Sequence, residues 1–133
     1  MPTKLLMTSS AAFMALLGAA MSFVPHELLG YAGVQPDGLA AVFVQVCGAL
    51  YLGFAILNWM AKDNLIGGIY SRPVALGNFM HFVVAGLALV KAAFAARDVV
   101  PLWVAAVVYA LFAVSFARVV FWHPIRNGAA ATR

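Results

Sequence analysis

Four long apolar segments constrain this chain more than any other feature of its sequence. They span residues 5–24, 39–61, 73–90 and 99–117, and none contains Asp, Glu, Lys or Arg. A helix of about 20 apolar residues crosses the roughly 30 Å of hydrocarbon in a bilayer. Because backbone groups in lipid must be hydrogen-bonded internally, each segment is predicted to be a helix. Short connections favour antiparallel neighbours, so the predicted fold is all-α, an integral membrane four-helix up-down-up-down bundle.

The composition excludes a water-soluble fold. Of the 133 residues, 65% are hydrophobic and 9% are charged, against about a half and about a quarter in soluble domains. A chain this short cannot bury two-thirds of its side chains away from water, so lipid must solvate many of them. We expect a single transmembrane domain over residues 1–133, with helices at about 5–24, 39–61, 72–95 and 99–122.

Prolines and one acidic residue predict where the helices begin and end. Pro25 is expected to stop the first helix, and Pro124 follows the fourth. Pro36, Asp37 and Gly38 are expected to form a turn in which Asp37 caps the second helix. These positions agree with the four apolar segments.

The first segment also has features of a secretory signal. Lys4 precedes it, and the small residues Gly18 and Ala20 lie near a potential cleavage point. The apolar run nevertheless continues to full spanning length. A retained first helix is therefore favoured.

The basic residues predict the orientation in the membrane. The formal net charge is +4, but the basic side chains flank the apolar segments, which indicates topology and no nucleic-acid partner. Lys91 and Arg97 belong to one side of the membrane. The positive-inside bias places the more basic side, and with it both termini, in the cytoplasm. That side carries Lys4, Lys62, Arg72, Arg118, Arg126 and Arg133.

Small residues predict where helices pack closely, because helix association in lipid depends on close backbone approach. The first helix carries four of them at helical spacing, and the second carries three. Cys47, the one cysteine, is expected to be a packing residue. The predicted small-residue seams are Ala11, Ala15, Gly18 and Ser22, and Gly48, Ala49 and Gly53.

Three stretches of the sequence carry a family resemblance. They are Gly48-Ala49-Leu50-Tyr51-Leu52-Gly53-Phe54-Ala55-Ile56-Leu57, Arg72-Pro73-Val74-Ala75-Leu76-Gly77-Asn78 and Pro25-His26-Glu27-Leu28-Leu29-Gly30-Tyr31. With them the chain resembles small bacterial four-helix membrane proteins of the DoxX-like group. The resemblance implies a multi-pass protein of the bacterial inner membrane, and its glycines and apolar residues specify packing. Some members of the group are linked to quinone-coupled sulfur oxidation or redox homeostasis. No motif here carries such a role over, and no catalytic residue is transferred.

Polar side chains at membrane depth are the candidate ligand-binding residues, since each needs a partner or a wet cavity. Gln45 lies toward the outer side, whereas Asn58, Asn78 and Arg118 are expected to converge in the cytoplasmic leaflet with His81 just above them. The competing interpretation is structural, because Asn often bridges helices and Arg snorkels to headgroups. His81 is expected to be buried, hydrogen-bonded and neutral, because burial disfavours the imidazolium and no carboxylate lies at its depth. A metal site is not expected there, since a lone histidine lacks the second ligand that such a site normally requires.

Aromatic residues near the segment ends are expected to anchor the helices at the interface. They include all three tryptophans, and also Tyr31, Tyr51, Tyr70 and Tyr109. No catalytic motif is present, which favours a non-enzymatic role.

We expect the protein to bind a hydrophobic or lipid-like molecule or to act as an accessory membrane subunit. Two alternatives stay open, a small transporter or channel protomer and a quinone-linked redox component. No cofactor is predicted, although a lipid or quinone fits the composition. The expected partners are membrane lipids and either further copies of the chain or a larger membrane complex.

Overall fold

The computed structural model describes residues 3–35, 37–63 and 71–122. Within these ranges the chain forms five helices and no strand: α1 (Thr3–Phe23), α2 (Pro25–Tyr31), α3 (Gly38–Ala61), α4 (Arg72–Ala95) and α5 (Val100–Trp122). Four of them, α1, α3, α4 and α5, are long and apolar enough to cross a membrane. The predicted all-α membrane fold class is confirmed, and each long helix begins and ends within two residues of its predicted position. Pro36, Tyr70, Pro124, Arg126 and Arg133 lie outside the described residues.

The described chain divides into two compact units. The N-terminal unit contains α1, α2 and α3 and ends at Asp63. The C-terminal unit contains α4 and α5. The single domain over residues 1–133 stays a prediction.

The short helix α2 is a difference from the sequence analysis. Pro25 does follow the end of α1, but it also occupies the first turn of α2. Proline suits that position because its fixed φ is helical and its missing N–H has no intrahelical partner there. The helix ends at Tyr31. Gly33, two residues further on, has a φ of +71°, and the Val34 N–H donates to the Leu29 carbonyl at 3.0 Å. This is a Schellman ending, and it needs a residue that adopts the left-handed conformation without strain.

Asp37 caps α3 as the sequence predicts. Its Oδ1 accepts a hydrogen bond from the Ala40 N–H at 2.6 Å. The carboxylate satisfies one of the N–H groups left without an intrahelical partner and opposes the positive end of the helix dipole. The start of α3 is therefore fixed locally.

In the N-terminal unit α1 and α3 pack as antiparallel helices and come closest at Gly18 and Gly48. A Cβ on Gly18 would lie 2.9 Å from the Gly48 carbonyl oxygen, and a Cβ on Gly48 would lie 2.8 Å from the Ser22 backbone nitrogen. Only glycine fits at both positions, so this part of the predicted seam is confirmed within one chain. Ala49 and Gly53 are instead exposed, and a Cβ on Gly53 would have no neighbour within 4 Å.

In the C-terminal unit α4 and α5 pack as antiparallel helices around Phe82, which is fully buried. Its ring stacks on Phe112 with 4.7 Å between the centroids and on Phe116 with 5.7 Å. Tyr109 meets the same ring edge-on at 5.4 Å. Tyr109 lies in the middle of α5 and is buried against α4. Its expected position at the membrane interface is therefore wrong.

Candidate functional site

Asn58 bridges α1 and α3 in the core of the N-terminal unit. Its side chain is completely buried, and its Nδ2 donates to Ser10 Oγ at 3.1 Å and lies 3.7 Å from Met14 Sδ. Ser10 Oγ in turn donates to the Met7 carbonyl at 3.0 Å. An amide in lipid depends on such partners, so Asn58 has the helix-bridging arrangement that the sequence analysis weighed against ligand binding.

Asn78 and His81 lie one turn apart on α4. Asn78 is completely buried, and its Nδ2 donates to the Val74 carbonyl of the same helix at 2.8 Å. His81 is half-buried and packs against aromatic rings, 5.2 Å from Phe82 and 6.0 Å from Tyr109 between centroids. Both side chains therefore belong to the packing of α4. The predicted convergence of Asn58 with these residues stays a prediction.

The other two candidate residues are exposed. Arg118 lies near the end of α5, and Gln45 lies on α3, where its Nε2 is 3.4 Å from the Ser22 carbonyl. Cys47, which was expected to be a packing residue, is exposed, and its packing role stays a prediction. The hydroxyl of Ser22 is buried beside Gly48 and has no hydrogen-bond partner among the described residues.

An apolar groove of about 350 Å³ runs between α1 and α3. None of the five sequence-predicted site residues lines it. One wall consists of three alanines of α1, and the other consists of four apolar residues of α3. Three of the lining side chains, Ala12, Ile56 and Trp59, are exposed to the surroundings. The lining residues are Ala11, Ala12, Ala15, Leu52, Ala55, Ile56 and Trp59.

The groove exists because α1 and α3 approach closely at the glycines, whereas the helix surfaces beyond that contact carry alanines. Leu52 packs against Gly18 at the close approach, and Leu52 also forms the first part of the groove wall. From there to Trp59 is about 10 Å along α3 at 1.5 Å per residue. Alanine side chains over this length are too short to fill the space between the two helix backbones, which leaves room for another molecule.

The groove ends at a charged cluster formed by Trp59, Lys62, Lys4 and Asp63. The Lys62 ammonium lies over the Trp59 ring, 3.0 Å from its centroid, in a cation–π contact that the ring's negative face stabilises. Lys4 Nζ and Asp63 Oδ1 form an ion pair at 2.7 Å. The hydrogen bond from Lys4 is the main reason that the pKa of Asp63 lies below its ordinary value of 3.8, and the charges of Lys4 and Lys62 lower it further.

These features define the chain as a multi-pass helical membrane protein with an apolar groove that is open to the surroundings. Among the described residues no group of three or more His, Cys, Asp or Glu side chains is placed to hold a metal ion. Comparisons with protein-family models, with curated proteins and with solved structures found no match.

Sequence reasoning missed the groove because it followed the polar residues. The alanines that line it look the same in the sequence as alanines that pack helices together. One signal was present, since Trp59 and Lys62 are three residues apart and so share a helix face. That spacing places a cation beside an interfacial aromatic ring at the end of the second apolar segment.

Proposed function

We propose that this protein binds the hydrocarbon tail of a lipid-like molecule in the groove between α1 and α3. The observation that carries the proposal is the groove itself, about 350 Å³ in volume and lined by aliphatic side chains and one indole. Its volume falls in the range of about 300–1,000 Å³ that is typical of small-molecule sites. The role is a binding role without chemistry at the bound molecule.

The character of the groove supports a tail as its occupant. Hydrocarbon chains need no hydrogen bonds, and the groove offers a surface of alanine, leucine and isoleucine. In a membrane there is little hydrophobic gain in leaving lipid for such a site, so binding depends on van der Waals contact with a surface of matching width. A pre-formed groove supplies that contact without ordering flexible side chains.

A transmembrane helix of a partner protein is the competing occupant. Small residues such as Ala11, Ala12 and Ala15 also allow close helix packing. Such a helix would correspond to the accessory-subunit role expected from the sequence. The experiment below separates the two, because one occupant is a lipid and the other is a protein.

The orientation that we propose places the charged end of the groove in the cytoplasm. It rests on the positive-inside bias, and it is supported by Lys4 and Lys62 lying at the same end of the N-terminal unit. In the C-terminal unit, Arg72 and Arg118 lie at the end opposite Lys91 and Arg97 along the two antiparallel helices. A bacterial inner membrane is the proposed location.

The test is native mass spectrometry after extraction in mild detergent, since it reports retained lipid and oligomeric state together. Ala12→Phe places a large ring in the groove and should reduce the number of lipids that stay bound. Ala49→Phe is the matched control, because Ala49 is an exposed alanine of α3 that does not line the groove.

We expect Ala49→Phe to retain lipid as the unaltered protein does. Equal retention by Ala12→Phe and the unaltered protein would contradict the proposal. A stoichiometric protein partner that is lost from Ala12→Phe alone would replace the lipid with a helix as the occupant. Far-ultraviolet circular dichroism of each variant checks that the helices are intact.

A further inference from the structure

We propose that the molecule in the groove is a phospholipid with an anionic headgroup, and that the Lys62 ammonium over Trp59 binds its phosphate. This inference rests on the proposed function and adds the chemical class of the ligand. It follows from the order of chemical groups along α3. Leu52, Ala55 and Ile56 come first, then the indole of Trp59, then the charge of Lys62.

That order matches the profile of an amphiphile in one leaflet of a bilayer. The aliphatic part of the groove corresponds to the acyl chain. An indole is typical of the level of the glycerol backbone, which lies between the hydrocarbon and the hydrated headgroups. A basic side chain beyond it lies at headgroup depth. Trp59 lies next to both the groove and the charge, since its side chain lines the groove and the Lys62 ammonium lies over its ring.

The charge balance of this end selects Lys62 over Lys4 as the anion-binding group. Asp63 is the acidic residue of the cluster, and it is engaged by Lys4 at 2.7 Å. Among the described residues Lys62 makes no ion pair with a carboxylate. The cluster of Lys4, Lys62 and Asp63 therefore carries one net positive charge, and that charge lies beside the groove.

A cation–π contact does not remove the charge that an anion needs. The indole stabilises the ammonium without neutralising it, and it covers only one side of the group. A lysine ammonium has three N–H donors, and those that point away from the ring can donate to a phosphate. The ring holds the ammonium at the edge of the groove, where a headgroup would lie when its chain occupies the groove.

The experiment uses Trp59 as the reporter. A variant with Trp103→Phe and Trp122→Phe leaves one tryptophan, and it is reconstituted into phosphatidylcholine vesicles. Dibrominated phosphatidylglycerol or dibrominated phosphatidylcholine with the same chains is then varied in amount. Bromine quenches indole fluorescence on contact, so the two quenching curves give the relative binding of the two lipids at Trp59.

We expect phosphatidylglycerol to be favoured by about fivefold, which is the effect of roughly one basic side chain at an anionic headgroup. Lys62→Gln should remove most of that preference, and Lys62→Arg should retain it. Lys91→Gln is the matched control, because it removes the same charge from an exposed residue that belongs to neither wall of the groove. It should leave the preference unchanged.

The outcomes separate this inference from the proposed function. If the two brominated lipids quench Trp59 equally well with and without Ala12→Phe in the same background, the groove does not bind lipid and both proposals fail. If Ala12→Phe weakens both lipids but they bind equally, or Lys62→Gln keeps the preference, the groove binds lipid without selecting its headgroup. In that case the inference fails and the proposed function stands.

Discussion

Substituting Gly48 tests the closest contact in the N-terminal unit. In Gly48→Ala, the added Cβ would lie 2.5 Å from Ser22 Oγ, 2.8 Å from the Ser22 nitrogen and 3.0 Å from the Gly18 carbonyl oxygen. The hydroxyl can rotate away, but the other two atoms belong to the backbone of α1. Moving the Ser22 nitrogen from 2.8 Å to the 3.4 Å at which ordinary contact begins requires the helices to separate by about 0.6 Å.

The cost of that separation follows from packing. Inserting a methyl group into a filled helix contact typically costs about 1–3 kcal/mol. Alanine also has a higher helix propensity than glycine, by up to about 1 kcal/mol, so the gross effect at Gly48 is partly masked. Gly53→Ala is the matched control, because Gly53 lies on the same helix with no atom within 4 Å of the added Cβ. The propensity gain is common to both variants, and their difference should therefore be about 1–3 kcal/mol in favour of Gly53→Ala.

The assay is reversible unfolding in mixed micelles, followed by far-ultraviolet circular dichroism at increasing fractions of denaturing detergent. A Gly48→Ala protein as stable as Gly53→Ala would refute the backbone contact. Adding Ser22→Ala to Gly48→Ala gives a second check. It relieves the clash with the hydroxyl but not the one with the backbone nitrogen, so it should restore little of the lost stability.

Three further predictions concern individual side chains. In a double-mutant cycle, Asn58→Leu and Ser10→Ala should show a coupling of about 0.6 kcal/mol, typical of a hydrogen bond between membrane helices, and a coupling near zero would contradict the bridge. His81→Leu should be tolerated, since leucine can keep the apolar contacts that the ring makes with Phe82 and Tyr109; loss of a measured ligand or partner interaction with an intact fold would instead make His81 functional. Because the pKa of Asp63 is lowered on folding, its pairing with Lys4 should stabilise the fold above about pH 4 and be lost as the pH falls through the folded pKa. Asp63→Asn should abolish that part of the acid dependence in unfolding titrations, and an unchanged profile would assign it to other groups.

The long helices could be predicted from the sequence because a long apolar segment in lipid must satisfy its own backbone hydrogen bonds, which a helix does. The Asp37 cap was equally predictable, since it is a local hydrogen bond between a carboxylate and the first turn of its own helix. The helix α2 was not predicted. Seven residues after a proline are too few to show a distinctive periodicity.

The candidate site was less predictable because it depends on the register between α1 and α3. The sequence identifies Asn58 as a polar residue at membrane depth, but only the register brings Ser10 opposite it. The groove needs the same register, together with the contrast between glycine at the close approach and alanine beyond it. Neither of these is a property of one segment, so reading the segments one at a time could not reveal them.

Two contacts of different strength hold α1 against α3 on either side of the groove. The first is the backbone contact at Gly18 and Gly48. The second is the exposed ion pair of Lys4 with Asp63, about 21 Å from Gly18 along α1. The groove lies between them. High salt or acid weakens the ion pair, but the glycine contact and the buried bridge from Asn58 to Ser10 do not depend on it, so α1 and α3 should stay packed together. The width of the groove, and with it the binding of a hydrocarbon tail, should therefore change little under those conditions.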